Sequence, residues 1–169
     1  MNKVIREDWK TYLIEEKDYT EQEIIEKAVE FLSFFIEHKM RVDSKMFLNP
    51  IEYSVQSHLS DLIKEKYILR FTKRGFAPKD AIIIVKCMDA IYHCFDLSFK
   101  EAEEVTSYAA DNHLTITQAI KDKLNVDFNE VNEFLDTVYP LFIDGCIKRC
   151  LQYGYDIVKL INDLRIKED

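Results

Sequence analysis

Five times in 169 residues the chain sets an apolar residue before a capping residue, with Glu or Gln three positions further on. The five are Tyr19-Thr20…Glu23, Leu48-Asn49…Glu52, Leu97-Ser98…Glu101, Leu114-Thr115…Gln118 and Val126-Asp127…Glu130. Each places a side-chain acceptor where the first turn of a helix leaves backbone N–H groups unpaired, and an acid or amide that can reach back to close the box. Pro50 adds a proline at a first helical position, where its missing N–H costs least. No stretch alternates apolar and polar residues over a strand's length, so the pattern predicts an all-α fold.

Between these starts the apolar spacing is helical. Residues 2–17 put Ile5, Trp9, Tyr12 and Leu13 on one face with Glu15 and Glu16 outward. The helix after Thr20 is expected to run to about Arg41, burying Ile25, Ala28, Val29, Leu32, Phe35 and Ile36. From Pro78 to Asp96, 12 of 19 residues are apolar, and Lys86, Asp89, His93 and Asp96 form one narrow polar stripe. That composition predicts a rod enclosed by neighbours on most of its circumference. Lys86 and Asp89 interrupt it too soon for a membrane span. Past Asp127 the pattern is long. Pro140 should kink or divide it, and Gly154 lies in a seam where a missing side chain would let another helix approach. The expectation is a single domain, 1–169, bundled from seven or eight helices with 78–95 and 140–166 at its centre.

Charge narrows the partners. The net charge is -8, yet 64–79 holds Lys64, Lys66, Arg70, Lys73, Arg74 and Lys79 against Glu65 alone. The overall sign argues against nucleic acid, which is bound by neutralising phosphates. The local reversal marks those six cations as a candidate docking surface for a protein partner. Residues 100–136 carry three basic and nine acidic groups, a surface that an acidic inhibitor, such as an immunity protein or antitoxin, would turn towards a basic partner. The segment 57–64 with Ile68 and Arg70 has the look of a winged-helix recognition helix, but a wing needs two strands and a helix follows Gly75.

Chemistry is sparse. Cys87 with Cys94 and Cys146 with Cys150 have helical rather than Cys-x-x-Cys spacing, which reads as buried reduced thiols in a cytoplasmic protein without a signal peptide. Asp89, His93 and Asp96 share a face that could hold a metal, but no second helix offers a matching pattern, so no metal or cofactor is expected. His38, His58 and His113 are isolated. No nucleophile signature or phosphate-cradling glycine loop is present, and no catalytic residue is assigned. Phe31, Phe34 and Phe35 read as core; with Tyr92 and Phe95 they are also candidates to line the cavity of a small-ligand sensor.

Lys73-Arg74-Gly75-Phe76-Ala77-Pro78-Lys79-Asp80 before a long apolar helix, with Trp9 near the start and Asn162-Asp163-Leu164-Arg165-Ile166 at the end, resembles helical input domains of the bacterial general stress response. These are the non-haem globin domains of stressosome proteins and the N-terminal domains of partner-switching phosphatases. The resemblance implies a globin-like, dimeric domain without enzymatic activity that receives a signal or binds a partner protein. The chain departs from that family in carrying no output domain after Asp169.

Overall fold

A computed structural model describes residues 3–55 and 57–168. It is all-α, 79% helical, with no strand among the described residues. No described helix is long and apolar enough to cross a membrane. The chain forms two compact units, one from residues 1–53 and 128–169, the other from 54–127.

The first unit contains α1 (Lys3–Glu15), a short 3-10 turn (Glu16–Asp18), α2 (Glu21–Glu37), α3 (Ser44–Leu48) and the start of α4 (Pro50–Val55). It is completed by helices from the far end of the chain. The second unit contains α5 (Asp61–Lys73), α6 (Pro78–Cys94), α7 (Phe99–Asp111) and α8 (Ile116–Leu124). The C-terminal helices of the first unit are α9 (Phe128–Thr137), α10 (Tyr139–Phe142), a π-turn (Ile143–Ile147), α11 (Lys148–Gln152) and α12 (Ile157–Glu168). The division is finer than the seven or eight helices expected.

Every boxed start opens a helix at the expected residue. The Thr20 hydroxyl accepts from Glu23 N at 3.2 Å, Thr115 from Gln118 N at 3.2 Å, and Ser98 with Glu101 completes a reciprocal box. Helix ends were harder to foresee. α2 stops at Glu37, not near Arg41, because Lys39 enters the left-handed region at φ 53° and Met40 N donates back to Phe35 O at 2.8 Å. The same closure ends α5 at Gly75, α7 at His113 and α11 at Gly154. Pro140 does divide the last segment, with a break at Val138 between α9 and α10. Gly154 corrects the reading of 140–166 as one rod. It has φ 87°, and a Cβ built on it meets nothing within 4 Å. The glycine serves the turn that ends α11, not a close helix approach.

At the centre of the first unit is α2, with Ile24, Ala28, Phe31, Leu32, Phe34 and Phe35 essentially without solvent contact. Ile25, Val29 and Ile36 are only half-buried, so the inward face is turned by about a residue from the expected one. Trp9, Tyr12 and Leu13 of α1 are buried as expected, whereas the side chains of Ile5 and Glu16 lie outside the described residues. Phe34 stacks on Phe134 at 3.8 Å between ring centroids, Phe31 on Phe142 at 4.6 Å, and Trp9 lies 4.4 Å from Phe31. Phe31 and Phe34 are thus packing residues with stacked ring partners, and Phe35 meets Phe134 and Tyr139 edge-on.

In the second unit α6 packs on α5 and α7, and α7 on α8. The enclosed-rod expectation for α6 fails. It buries one face, Ala81, Val85, Met88 and Ile91, while Ile82 and Ile83 are 42% and 52% exposed. Its apolar content overstated its burial, because two of the three consecutive isoleucines fall on the turn of the helix that faces solvent.

Candidate functional site

The six cations of 64–79 all belong to the second unit, on α5, α6 and the turn between them, and the fold sends them in three directions. Arg70 and Arg74 reach α7. Arg70 Nη2 pairs with Glu103 Oε1 at 2.8 Å. Arg74 Nη2 is bidentate to the Asp111 carboxylate, 2.9 Å to each oxygen, while its Nη1 donates to the Ser107 hydroxyl. Both guanidiniums also lie over rings, Arg70 over Tyr67 and Arg74 over Phe71 and Phe76. These two arginines hold α5 to α7, and a planar fork that can meet a carboxylate and a ring face together suits that task. Tyr67, in the same cluster, has its hydroxyl pKa pushed up by burial and by the neighbouring Glu103 carboxylate.

Lys64 turns the other way, towards α6, with Nζ 3.6 Å from Asp89 Oδ2. Asp89 is a junction. Its Oδ1 accepts from His58 N at 3.2 Å and Leu59 N at 3.0 Å, and its Oδ2 accepts from the Ser57 hydroxyl at 2.6 Å. One carboxylate therefore holds the segment that leads into α5, with Leu59 buried beside it. Ser60 then caps the helix, its hydroxyl accepting from Ile63 N. The resemblance of 57–64 to a recognition helix ends here, because 57–60 precedes α5 and α6 follows it.

That leaves Lys66, Lys73 and Lys79, which are exposed and, among the described residues, have no ion pair. Lys66 and Lys73 share the outer face of α5 with two leucines. Leu62, Lys66, Leu69 and Lys73 follow at spacings of four, three and four, the stagger that stacks side chains along one helix face. Leu62 is 79% exposed and Leu69 55%. The spacing of Leu62 and Leu69 was visible in the sequence, but nothing local told an outward leucine stripe from an inward one.

The acidic stretch 100–136 is partly engaged within the second unit. Glu103 and Asp111 hold the arginines, and Asp122 accepts from the Tyr108 hydroxyl at 2.9 Å and from the Gln118 amide at 2.7 Å. The four cysteines form no disulfide; Cys146 and Cys150 are buried, and Cys87 and Cys94 half-buried. Burial pushes the thiols of Cys87 and Cys94 up, the opposite of what activates a thiolate nucleophile. Of the isolated histidines, His38 is buried in the first unit, its Nδ1 3.0 Å from Phe34 O and its Nε2 3.7 Å from Glu130 Oε2, while His113 is an exposed turn residue. His58 is not isolated in space. It meets His93, 35 residues away. Among the described residues no group of three or more His, Cys, Asp or Glu side chains is placed to hold a metal ion. Against known proteins the chain matches no protein-family model, no curated protein and no solved structure.

Proposed function

We propose that the chain is a non-enzymatic binding module of the cytoplasm that takes an acidic, amphipathic partner helix on the outer face of α5. The observation that carries this reading is the stripe Leu62, Lys66, Leu69 and Lys73: two leucines standing largely in water, interleaved with two lysines that have no ion pair among the described residues. A partner helix with an apolar seam between carboxylates would cover the leucines and pair the lysines at once. On a chain of net charge -8, such a local basic face also sets where an acidic partner can approach. Lys79 and the exposed Ile82 and Ile83 on α6 extend the same character to the neighbouring helix. The resemblance to stress-response input domains leads to the same reading and adds a homodimer.

The test separates the stripe from the arginines, whose reversal would disturb α5 and α7. A K66E/K73E variant and an L62S/L69S variant, each compared with wild type as bait in native-host lysate, should lose the proteins that wild type retains. Those proteins should wash off at about 0.5 M salt, where charge attraction is screened beyond roughly 4 Å, and both variants should melt close to wild type. Retention that neither variant weakens would overturn the reading. Light scattering decides the homodimer independently, and a monomer at high concentration would remove it.

A further inference from the structure

His58 and His93 converge in a way that neither the polar stripe of α6 nor the docking face explains. His58 lies in the bend before α5 and His93 in the last turn of α6, both half-buried. Their Nδ1 atoms are 2.7 Å apart, with ring planes at 81° and centroids at 4.3 Å. At that separation one Nδ1–H donates to the lone pair of the other, and the two nitrogens share a single proton. Without that proton, two imidazole lone pairs aim at one point.

We propose that this pair is a binding site for a borderline-soft divalent cation of the zinc class, with His58 Nδ1 and His93 Nδ1 as its two protein ligands. Imidazole nitrogen suits zinc, copper and nickel rather than calcium or magnesium, which take oxygen. A tetrahedral ion with metal–nitrogen bonds of about 2.0–2.1 Å sets its ligand nitrogens roughly 3.3 Å apart. The pair reaches that spacing by a small opening of the two rings. Asp89 stands one turn before His93 on α6 and accepts from the backbone N–H of His58. It is the positioning residue: it fixes the segment that carries one ligand against the helix that carries the other, and supplies a negative charge nearby. With two protein ligands the remaining coordination positions fall to water, an open site rather than a closed structural one. For both Nδ1 atoms to bind, the ring that donates Nδ1–H takes the Nε2–H tautomer instead, with no net loss of a proton, and because a charged imidazolium offers no lone pair, affinity falls as pH falls. The metal would tie the entry of α5 to the end of α6, although the site stands without the docking reading.

Zinc titrated into the chelator-treated full chain, followed by calorimetry and by the imidazole nitrogen resonances in NMR, tests the site. One equivalent should bind, shift the Nδ1 resonances of both His58 and His93, and leave those of His38 and His113 in place. His58→Gln and His93→Gln should each abolish that event, and Asp89→Asn should weaken it about 10- to 100-fold, the usual effect of removing a group that orients a ligand. The wild-type spectra decide the matter even if a variant fails to fold. No binding, binding that shifts only His38 or His113, or a shared N–H···N signal that persists at saturating zinc would overturn the proposal and leave the two rings a hydrogen-bonded pair.

Discussion

The two units are held together by different forces. In the first, rings stack on rings around α2, and side chains donate to distant backbone carbonyls: Tyr139 Oη to Met46 O at 2.9 Å, Cys146 Sγ to Ile24 O at 3.5 Å, Arg149 to Tyr19 O, and Arg165 to Met40 O at 2.6 Å. In the second, buried rings are fewer, with Ala81, Ala102, Ala109 and Ala119 packed beside Phe71 and Phe95, and the ion pairs Arg70–Glu103, Arg74–Asp111 and Lys64–Asp89 cross between its elements. Aromatic burial is dense and indifferent to salt, whereas exposed ion pairs weaken with salt. A stable scaffold and a more adjustable, charge-laced unit thus sit in one chain, and the candidate sites fall on the second.

The comparison breaks first at Phe134. Its ring stacks on Phe34 and meets Trp9 and Phe35 edge-on at 5.8 Å each. Phe134→Ala should cost about 3–5 kcal/mol, the range for removing a buried aromatic ring, read by denaturant unfolding, and the loss should be the same at low and high salt. Hydrogen exchange should quicken chiefly in α2 and α9. A loss below about 1 kcal/mol would mean that the ring cluster is not what holds the first unit.

The counterpart in the second unit is Asp89. Asp89→Ala removes the acceptor of the His58 and Leu59 N–H groups and leaves the Ser57 hydroxyl only its contact with Leu59 O at 3.1 Å; it should cost about 2–3 kcal/mol, as for hydrogen bonds to a charged group. Arg74→Ala should cost no more than about 1 kcal/mol, because that pair is exposed, and salt should shrink the difference from wild type. If Arg74→Ala proved as damaging as Asp89→Ala, the contrast between a half-buried junction and a surface clamp would be lost.

Tyr139 sharpens the contrast along the pH axis. Burial, with Tyr53 beside it, raises its hydroxyl pKa far above 10. A folded-state pKa above the unfolded one means that the stabilisation is complete below about pH 10 and disappears as pH climbs from there. Wild type should therefore lose stability in alkali. Tyr139→Phe should start about 1 kcal/mol less stable at neutral pH for want of the bond to Met46 O, and then decline less steeply. A parallel decline of the two proteins in circular-dichroism melts would sink the assignment.

What could be read in the sequence was local, and what could not was long-range. Thr20, Ser98 and Thr115 cap within three residues of themselves, so a helix start is written where it happens. Pro140 divides its helix by its own covalent ring. Arg70 and Arg74, in contrast, find their acids 33 and 37 residues away, contacts that a local count of charges does not reveal. His58 and His93 meet across 35 residues, a pairing no spacing rule reveals. The isoleucines of α6 misled for a related reason: apolar content states a preference for burial, while the neighbours decide which side of the helix receives it.

Helix ends test that boundary at the smallest scale. Gly75 and Gly154 close α5 and α11 in the left-handed region where glycine belongs, but Lys39, His113 and Asn125 adopt the same conformation at φ 53°, 54° and 56°. A Cβ there costs roughly 1–2 kcal/mol, less for asparagine, and glycine gives back part of the difference as entropy of the unfolded chain. His113 is exposed and lies at the end of α7, where Leu114 N closes the turn on Ala109 O at 2.9 Å. His113→Gly should therefore stabilise by about 0.5–1 kcal/mol, while Asn125→Gly should change little, because asparagine already tolerates the conformation. Equal gains at both positions in matched denaturant curves would show that asparagine bears the left-handed strain no better than histidine, and no gain at His113 would show that the added entropy of the unfolded chain cancels the strain relieved.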